Sequence, residues 1–217
     1  MNQNNLNLYI VDDDEAVCRS MGNLLLSRHF AVQTFNSGES FLAHAHLDSC
    51  GVVVLDLRME GPSGTGMSGL EVFGQLRERQ STLTVVFLSG HGDIPTAMQA
   101  KDDGAVGWLE KPCSDDALLL KIGQASGLAH QRYADHVRKQ SALKAWSRLS
   151  PREVEVAPLF ADGKTAKEIA RILSIRDADH PIDHRTVENH WAKARAKLGL
   201  ANSNAMQKFL RDNDMPG

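Results

Sequence analysis

Short apolar runs recur through the first half of this chain at helix-length intervals, and no other feature constrains the fold as tightly. Leu8–Val11, Val32–Phe35, Val52–Leu55, Val85–Leu88 and Val106–Leu109 are each of strand length and rich in β-branched or aromatic side chains. Between them Val17, Met21, Leu24 and Leu25, then Leu70, Val72, Phe73 and Leu76, repeat at three- and four-residue spacing, the period of an amphipathic helix. The order predicts five βα units. Near-continuous apolar strands joined by helical crossovers specify a parallel sheet covered on both faces. The expected fold over residues 1–126 is therefore α/β, a doubly wound five-stranded parallel sheet, whose ligands sit at the carboxyl ends of the strands.

After Asp115 the pattern is helical. Residues 127–146 read as a helical linker, and Ser150-Pro151-Arg152-Glu153 then reads as a capping box with proline at the first helical position. Helices are expected at Pro151–Ala161, Ala166–Leu173, Thr186–Leu198 and Asn202–Arg211, forming a small all-α domain over residues 147–217. A chain of 217 residues suits two such domains, and 42% hydrophobic with 24% charged residues excludes a disordered tail or a coiled-coil rod. The charge divides with the domains: residues 1–126 hold 16 Asp+Glu against 8 Lys+Arg, a net of -8, and residues 127–217 hold 11 against 16, a net of +5. An acidic module suits a cation and a basic one a polyanion. The longest aliphatic run, Val52–Leu55, is too short to span a membrane. No export signal follows the uncharged start Met1-Asn2-Gln3-Asn4-Asn5, so the expected location is the cytoplasm, with Cys18, Cys50 and Cys113 as reduced thiols.

The strand ends carry the chemistry. β-Strand one runs into Asp12-Asp13-Asp14-Glu15 and strand three into Asp56; strand four ends at Ser89, and Glu110-Lys111-Pro112 follows strand five. Taken singly, Asp14 reads as a helix cap, the other carboxylates as solvated strand ends and Lys111 as a surface partner. Converging in one crevice, the carboxylates repel one another and call for a cation, for which oxygen ligands suit Mg²⁺. A carboxylate nucleophile, a divalent cation, a hydroxyl and a lysine are the parts needed to accept and hold a phosphoryl group.

Ile10-Val11-Asp12-Asp13-Asp14-Glu15, Leu55-Asp56-Leu57-Arg58-Met59, Phe87-Leu88-Ser89-Gly90-His91-Gly92-Asp93 and Glu110-Lys111-Pro112 resemble the four motifs of a response-regulator receiver domain, which has a flavodoxin-like fold. The resemblance implies that Asp56 is the phosphoacceptor. It further implies that Asp12, Asp13 and the Arg58 carbonyl help bind Mg²⁺, that Ser89 and Trp108 are the switch positions, and that Lys111 pairs with the phosphate. Lys111–Pro112 is the bond that is commonly cis in such domains. The implied donor is the phosphohistidine of a sensor histidine kinase, and the domain is a switch rather than a turnover enzyme. One departure is a loop after Asp56 that is lengthened through Met59-Glu60-Gly61-Pro62-Ser63-Gly64-Thr65-Gly66-Met67-Ser68-Gly69. Gly61 to Ser68 has P-loop spacing, yet Met67 stands where the lysine must be, so a nucleotide site is not expected.

The second half resembles the LuxR-type helix-turn-helix of NarL/FixJ regulators through Leu149-Ser150-Pro151-Arg152-Glu153, Lys167-Glu168-Ile169-Ala170, Arg185-Thr186-Val187-Glu188-Asn189-His190 and Lys197-Leu198-Gly199. On a helix from Thr186, Val187, Trp191, Ala194 and Leu198 share an apolar face. The opposite face offers Arg185, Asn189, Ala192, Lys193 and Ala196 to DNA, flanked by Glu188. The expected DNA-contacting set is Arg185, Thr186, Glu188, Asn189, Lys193 and Lys197. Here too the family's tight turn is lengthened, by Arg176-Asp177-Ala178-Asp179-His180-Pro181-Ile182-Asp183-His184, whose aspartates should repel phosphate; His180, His184 and His190 read as surface histidines. The resulting expectation is a two-component transcription regulator that binds double-stranded promoter DNA as a phosphorylation-induced homodimer, without contact with a membrane. The alternative is a phospho-switch interaction module whose altered C-terminal domain does not read DNA.

Overall fold

The computed structural model describes residues 6–59, 66–90 and 104–215. Two units are present, Met1–His136 and Val137–Gly217, and the divide falls inside the expected linker at 127–146. In the first unit the elements are β1 (Asn7–Val11), α1 (Glu15–Ser27), β2 (Ala31–Phe35), α2 (Gly38–His44), β3 (Gly51–Asp56), α3 (Gly69–Glu78), β4 (Thr84–Ser89) and β5 (Gly107–Glu110). Helix α4 (Asp115–Trp146) starts here and continues past the divide. The crossover helix expected between β4 and β5 falls largely on residues outside those described.

All strand pairs are parallel and the order is β2-β1-β3-β4-β5. β3 and β4 are buried at every position because strands flank them in the plane and helices cover both faces, whereas β2, at the edge, is largely exposed. Successive side chains point to opposite faces. Tyr9, Val53, Leu55, Val85 and Phe87 meet Phe41 of α2 and Val72, Phe73 and Leu76 of α3. Leu8, Ile10, Val52, Val54, Val86 and Leu88 meet Cys18 and Leu25 of α1 and Leu118 and Ile122 of α4. The strands exceed their apolar runs because backbone pairing recruits Asn7, Gly51 and Thr84 as well. Val106 lies just outside β5, although its N–H still donates to the Val85 carbonyl.

The second unit comprises the end of α4 and α5 (Pro151–Ala161), α6 (Ala166–Arg176), α7 (His184–Leu198) and α8 (Ser203–Asp212). Capping boxes start α5, from Ser150 and Glu153, and α6, from Thr165 and Glu168. α6 runs on past Leu173 to Arg176, and α7 starts before Thr186 because the Asp183 carboxylate caps it, accepting from the Thr186 N–H at 2.7 Å. Gly199 closes α7 at φ 67°, the left-handed conformation for which glycine is preferred. Val187, Trp191, Ala194 and Leu198 do share the buried face. Val187 packs with Val156, Ile169 and Leu173, and Ala194 with Ala157, Met206 and Leu210. Trp191 borders both clusters and stacks on Phe160 with ring centroids 4.6 Å apart. Among the described residues no helix is long and apolar enough to cross a membrane.

Since Trp191 joins the two halves of this core, Trp191→Ala should destabilise the second unit by about 3 kcal/mol. Denaturant unfolding followed by circular dichroism should then split, with the C-terminal transition moving to lower denaturant and the transition of the first unit unchanged.

Candidate functional site

Parallel pairing of β1 with β3 brings Val11 opposite Leu55, so the next residues, Asp12 and Asp56, leave the sheet side by side. Asp12 is fully buried and Asp56 nearly so, while Asp13 is exposed. Lys111, carried in just after β5, reaches across the strand ends to lie 2.6 Å from Asp12 Oδ2 and 3.1 Å from Asp56 Oδ1. The other Asp12 oxygen, Oδ1, accepts from the Asp14 N–H at 3.0 Å. Asp14 itself caps α1 through the Ala16 N–H. Asp12, Asp13 and Asp56 each offer an oxygen within 4.8 Å of the others. An all-oxygen, multiply anionic set of this kind fits a hard divalent cation, so the residues present match the implied Mg²⁺ in chemistry.

Burial raises the pKa of Asp56, and the Asp12 charge adds to that effect; Lys111 and the Arg58 backbone N–H oppose it. Lys111 is half-buried, which disfavours its charge, yet its hydrogen bond to Asp12 and the charges of both carboxylates hold its pKa above the ordinary value. The two directions agree physically: one ammonium serves two carboxylates, so it is over-compensated while Asp56 is under-compensated.

The surroundings fix Asp56 closely. At Gly69 a Cβ would stand 2.1 Å from the Asp56 carbonyl oxygen, so only glycine lets the start of α3 approach, and the Gly69 N–H donates to the Leu57 carbonyl. Ser68 caps α3, and Glu39 of α2 accepts from the Met67 N–H at 2.9 Å, tying down the far end of the lengthened loop. Residues 60–65 of that loop lie outside those described, as do His91, Gly92 and Asp93. Ser89 is buried at the end of β4 and its hydroxyl donates to the Leu109 carbonyl at 3.5 Å, a marginal bond. Trp108 pairs in register with Phe87 and packs half-buried against the adjoining cluster. Lys111–Pro112 is cis. Beside Lys111 a recess of about 460 Å³ opens between α1 and the segment after β5, lined by Val17, Ser20, Met21 and Cys113.

In the second unit Arg185, Thr186, Glu188, Asn189, Ala192, Lys193 and Ala196 are all exposed on α7. Lys197 is exposed as well, but its ammonium also lies 2.6 Å from Glu153 and 3.1 Å from the Arg148 carbonyl of the same unit. Glu153 is buried, which opposes its charge, but Lys197, the Ser150 N–H and the charge of His190 together hold its carboxyl below the usual range. Sequence reasoning read Glu153 only as a capping residue; its partner 44 positions away leaves no local signal. His190 is half-buried with Nδ1 buried and unpartnered, which corrects its reading as a surface histidine. Arg195 lies over the Trp191 ring and donates to the Ala201 carbonyl.

The lengthened turn is bound back onto its own unit. Asp177 pairs with Arg152 and, at 3.2 Å, with His180, and Asp183 caps α7. Two of the three inserted aspartates are thus engaged, and Asp179 alone stands exposed without such a role.

Two family models match the chain, the response regulator receiver domain over residues 8–123 and the LuxR family of bacterial regulatory proteins over residues 147–209. The tetrathionate response regulatory protein TtrR of Salmonella typhimurium is 36% identical over 88% of this chain and 85% of its own length. The transcriptional regulatory protein FixJ of Bradyrhizobium diazoefficiens is 32% identical over 94% of this chain and 92% of its own. The solved structure of the response regulator StyR, 32% identical, superposes with a TM-score of 0.75 over 95% of this chain and 98% of that one. The chain belongs to the NarL/FixJ family of two-component response regulators, with a receiver domain followed by a LuxR-type DNA-binding domain.

Proposed function

We propose that this response regulator takes a phosphoryl group on Asp56 from the phosphohistidine of a sensor kinase and, once phosphorylated, binds promoter DNA as a homodimer through α7. The observation that carries the reading is the buried Asp56 carboxylate held beside Asp12 by a single lysine, at the edge of a cluster that fits a divalent cation. Mg²⁺ would be held by Asp12, Asp13, Asp56 and the Arg58 carbonyl, and when bound it supplies positive charge against the phosphoryl oxygens. An Asp56 carboxylate oxygen attacks phosphorus, the P–N bond breaks, and its electron pair returns to the imidazole nitrogen. Attack requires the ionised carboxylate, which burial disfavours. Lys111, already 3.1 Å from Asp56, then pairs with the added phosphate charge. The Ser89 hydroxyl gives up only a marginal bond to Leu109 in turning to that phosphate, and half-buried Trp108 on the neighbouring strand repacks in response. The chain turns over no substrate of its own and works in the cytoplasm, away from membranes.

On α7 the exposed face is small at Ala192 and Ala196, so the helix backbone can approach the floor of a major groove. Arg185 and Lys193 neutralise phosphate, Asn189 and Glu188 reach base edges, and Thr186 lies at the helix start. Lys197, engaged by Glu153, holds the domain together instead of contacting DNA.

Labelling with acetyl phosphate in Mg²⁺ should be abolished by Asp56→Asn; a mutant that keeps its label refutes the acceptor assignment. The same substitution tests the electrostatics. A carboxyl whose folded pKa is raised is tolerated protonated, and stability is lost as pH rises from the ordinary carboxylate range through the folded value. Without added cation, Asp56→Asn should therefore unfold at higher denaturant than wild type at pH 7, and the advantage should vanish below the ordinary carboxylate pKa.

For DNA, Arg185→Ala and Lys193→Ala should each lower the salt slope of promoter binding by about 1. Lys197→Gln should leave that slope unchanged and lower the stability of the second unit by about 1–3 kcal/mol by stranding a buried carboxylate. A wild-type protein with no preference among promoter fragments would favour the interaction-module alternative.

A further inference from the structure

The turn between α6 and α7 carries Asp177, Asp179 and Asp183 toward the start of the helix assigned to DNA. On charge alone such an insertion weakens binding to a polyanion. Its contacts describe something other than a solvated loop. Ser174 of α6 and Ile182 exchange two hydrogen bonds, the Ile182 N–H donating to Ser174 Oγ at 3.0 Å and the hydroxyl donating to the Ile182 carbonyl at 3.3 Å. The Ile182 side chain packs on the Val156, Ile169, Leu173 and Val187 cluster, which joins α5, α6 and α7. At the near end Asp177 is the C-cap of α6 and its carboxylate pairs with Arg152 in the first turn of α5. At the far end Asp183 caps α7. The segment is thus fixed at both ends, to α5 through Asp177 and to α7 through Asp183, with Ile182 between them packed in the cluster that holds Val187 of α7.

We propose that the inserted segment is a brace that sets the position of the first turn of α7, and that Asp177 is a positioning residue for DNA recognition, acting through Arg152. The inference rests on the DNA-reading function proposed above. Arg152 also pairs with Glu155, so its guanidinium is taken up within the unit and is not a phosphate contact. The carboxylate of Asp177 lies below the usual range because Arg152, and after it His180, stabilise its charge.

Charge and positioning predict opposite signs for one substitution. Asp177→Asn removes a negative charge near the DNA face, so a purely electrostatic role predicts equal or tighter binding. The brace predicts weaker binding to the preferred site. The experiment uses the full chain treated with acetyl phosphate, a duplex selected by the wild-type protein, and a scrambled duplex of equal length. Asp177→Asn should lose about five- to tenfold in affinity for the selected duplex, the size of one partly exposed charge-assisted hydrogen bond, with no loss on the scrambled one. The salt slope should stay the same, because no phosphate contact is removed, and Asp177→Glu should recover most of the affinity. Amide exchange at residues 184–187 should be faster in Asp177→Asn without DNA. Unchanged or tighter binding to the selected duplex overturns the brace. Failure of the wild type to prefer any duplex sinks the DNA reading instead, and unchanged amide exchange at residues 184–187 would then overturn the brace independently.

Discussion

Two carboxylates and one ammonium at the strand ends organise the receiver. Parallel pairing of β1 and β3 forces Asp12 and Asp56 together in a place where water is nearly excluded, and like charges so placed cannot both persist without a cation. Lys111 supplies that cation from the far edge of the sheet, two strands away from β3. The compensation is incomplete by design of the count: one positive charge faces two buried negative ones with Asp13 beside them. A divalent cation at this cluster would relieve the shortfall, and under the proposed function a phosphoryl group on Asp56 would change the balance again. Ser89 is held only by a marginal bond, and Trp108 is half-buried against the cluster that also holds Phe87.

The second unit uses the same physics to opposite effect. Glu153 is buried, but Lys197 and the Ser150 N–H meet it at short distances, and the charge of His190 adds to them. This carboxylate is fully compensated and so ties the start of α5 to the end of α7. A buried charge that is satisfied fixes a geometry; one that is left short invites a ligand. The contrast explains why the receiver has a reactive group and the DNA-binding unit has a rigid platform.

Much of this was legible in the sequence, and the boundary of what was legible is physical. Periodicity placed the five strands, α1, α3 and the C-terminal helices to within a few residues because burial of one face is a local signal repeated along the element, whereas the seven-residue α2 was too short to show a period. Strand ends pointed to Asp12, Asp56, Ser89 and Lys111, since the carboxyl edge of a doubly wound sheet is where ligands gather. The geometry brings Asp12, Asp56 and Lys111 together, with Ser89 buried at the end of β4, although periodicity gave no hint that Lys111 would bridge both carboxylates. On α7 the buried face lies where periodicity puts it, but the engagement of exposed Lys197 by buried Glu153 depends on the packing of α5 against α7, which no pattern within one helix encodes. His190, expected at the surface, is partly buried there. Pairs such as Arg152 with Asp177 depend on helix crossings that no single-element pattern encodes.

The charge division that first separated the two halves also takes on a finer meaning. Three of the sixteen acidic residues of the first half, Asp12, Asp13 and Asp56, sit together where a cation fits, so part of the surplus is site chemistry and not surface. The modest basic excess of the second half shrinks further as a field acting on DNA, because Arg152, Lys197 and Arg195 are held by groups of their own unit. Arg185 and Lys193 remain on the open face of α7. With two cations on that face, α7 alone gains little from counterion release, and under the proposed function base contacts or a second copy on an adjoining half-site would supply the rest. Under the function proposed above, assembly of two copies would then be the step through which the receiver acts on DNA affinity.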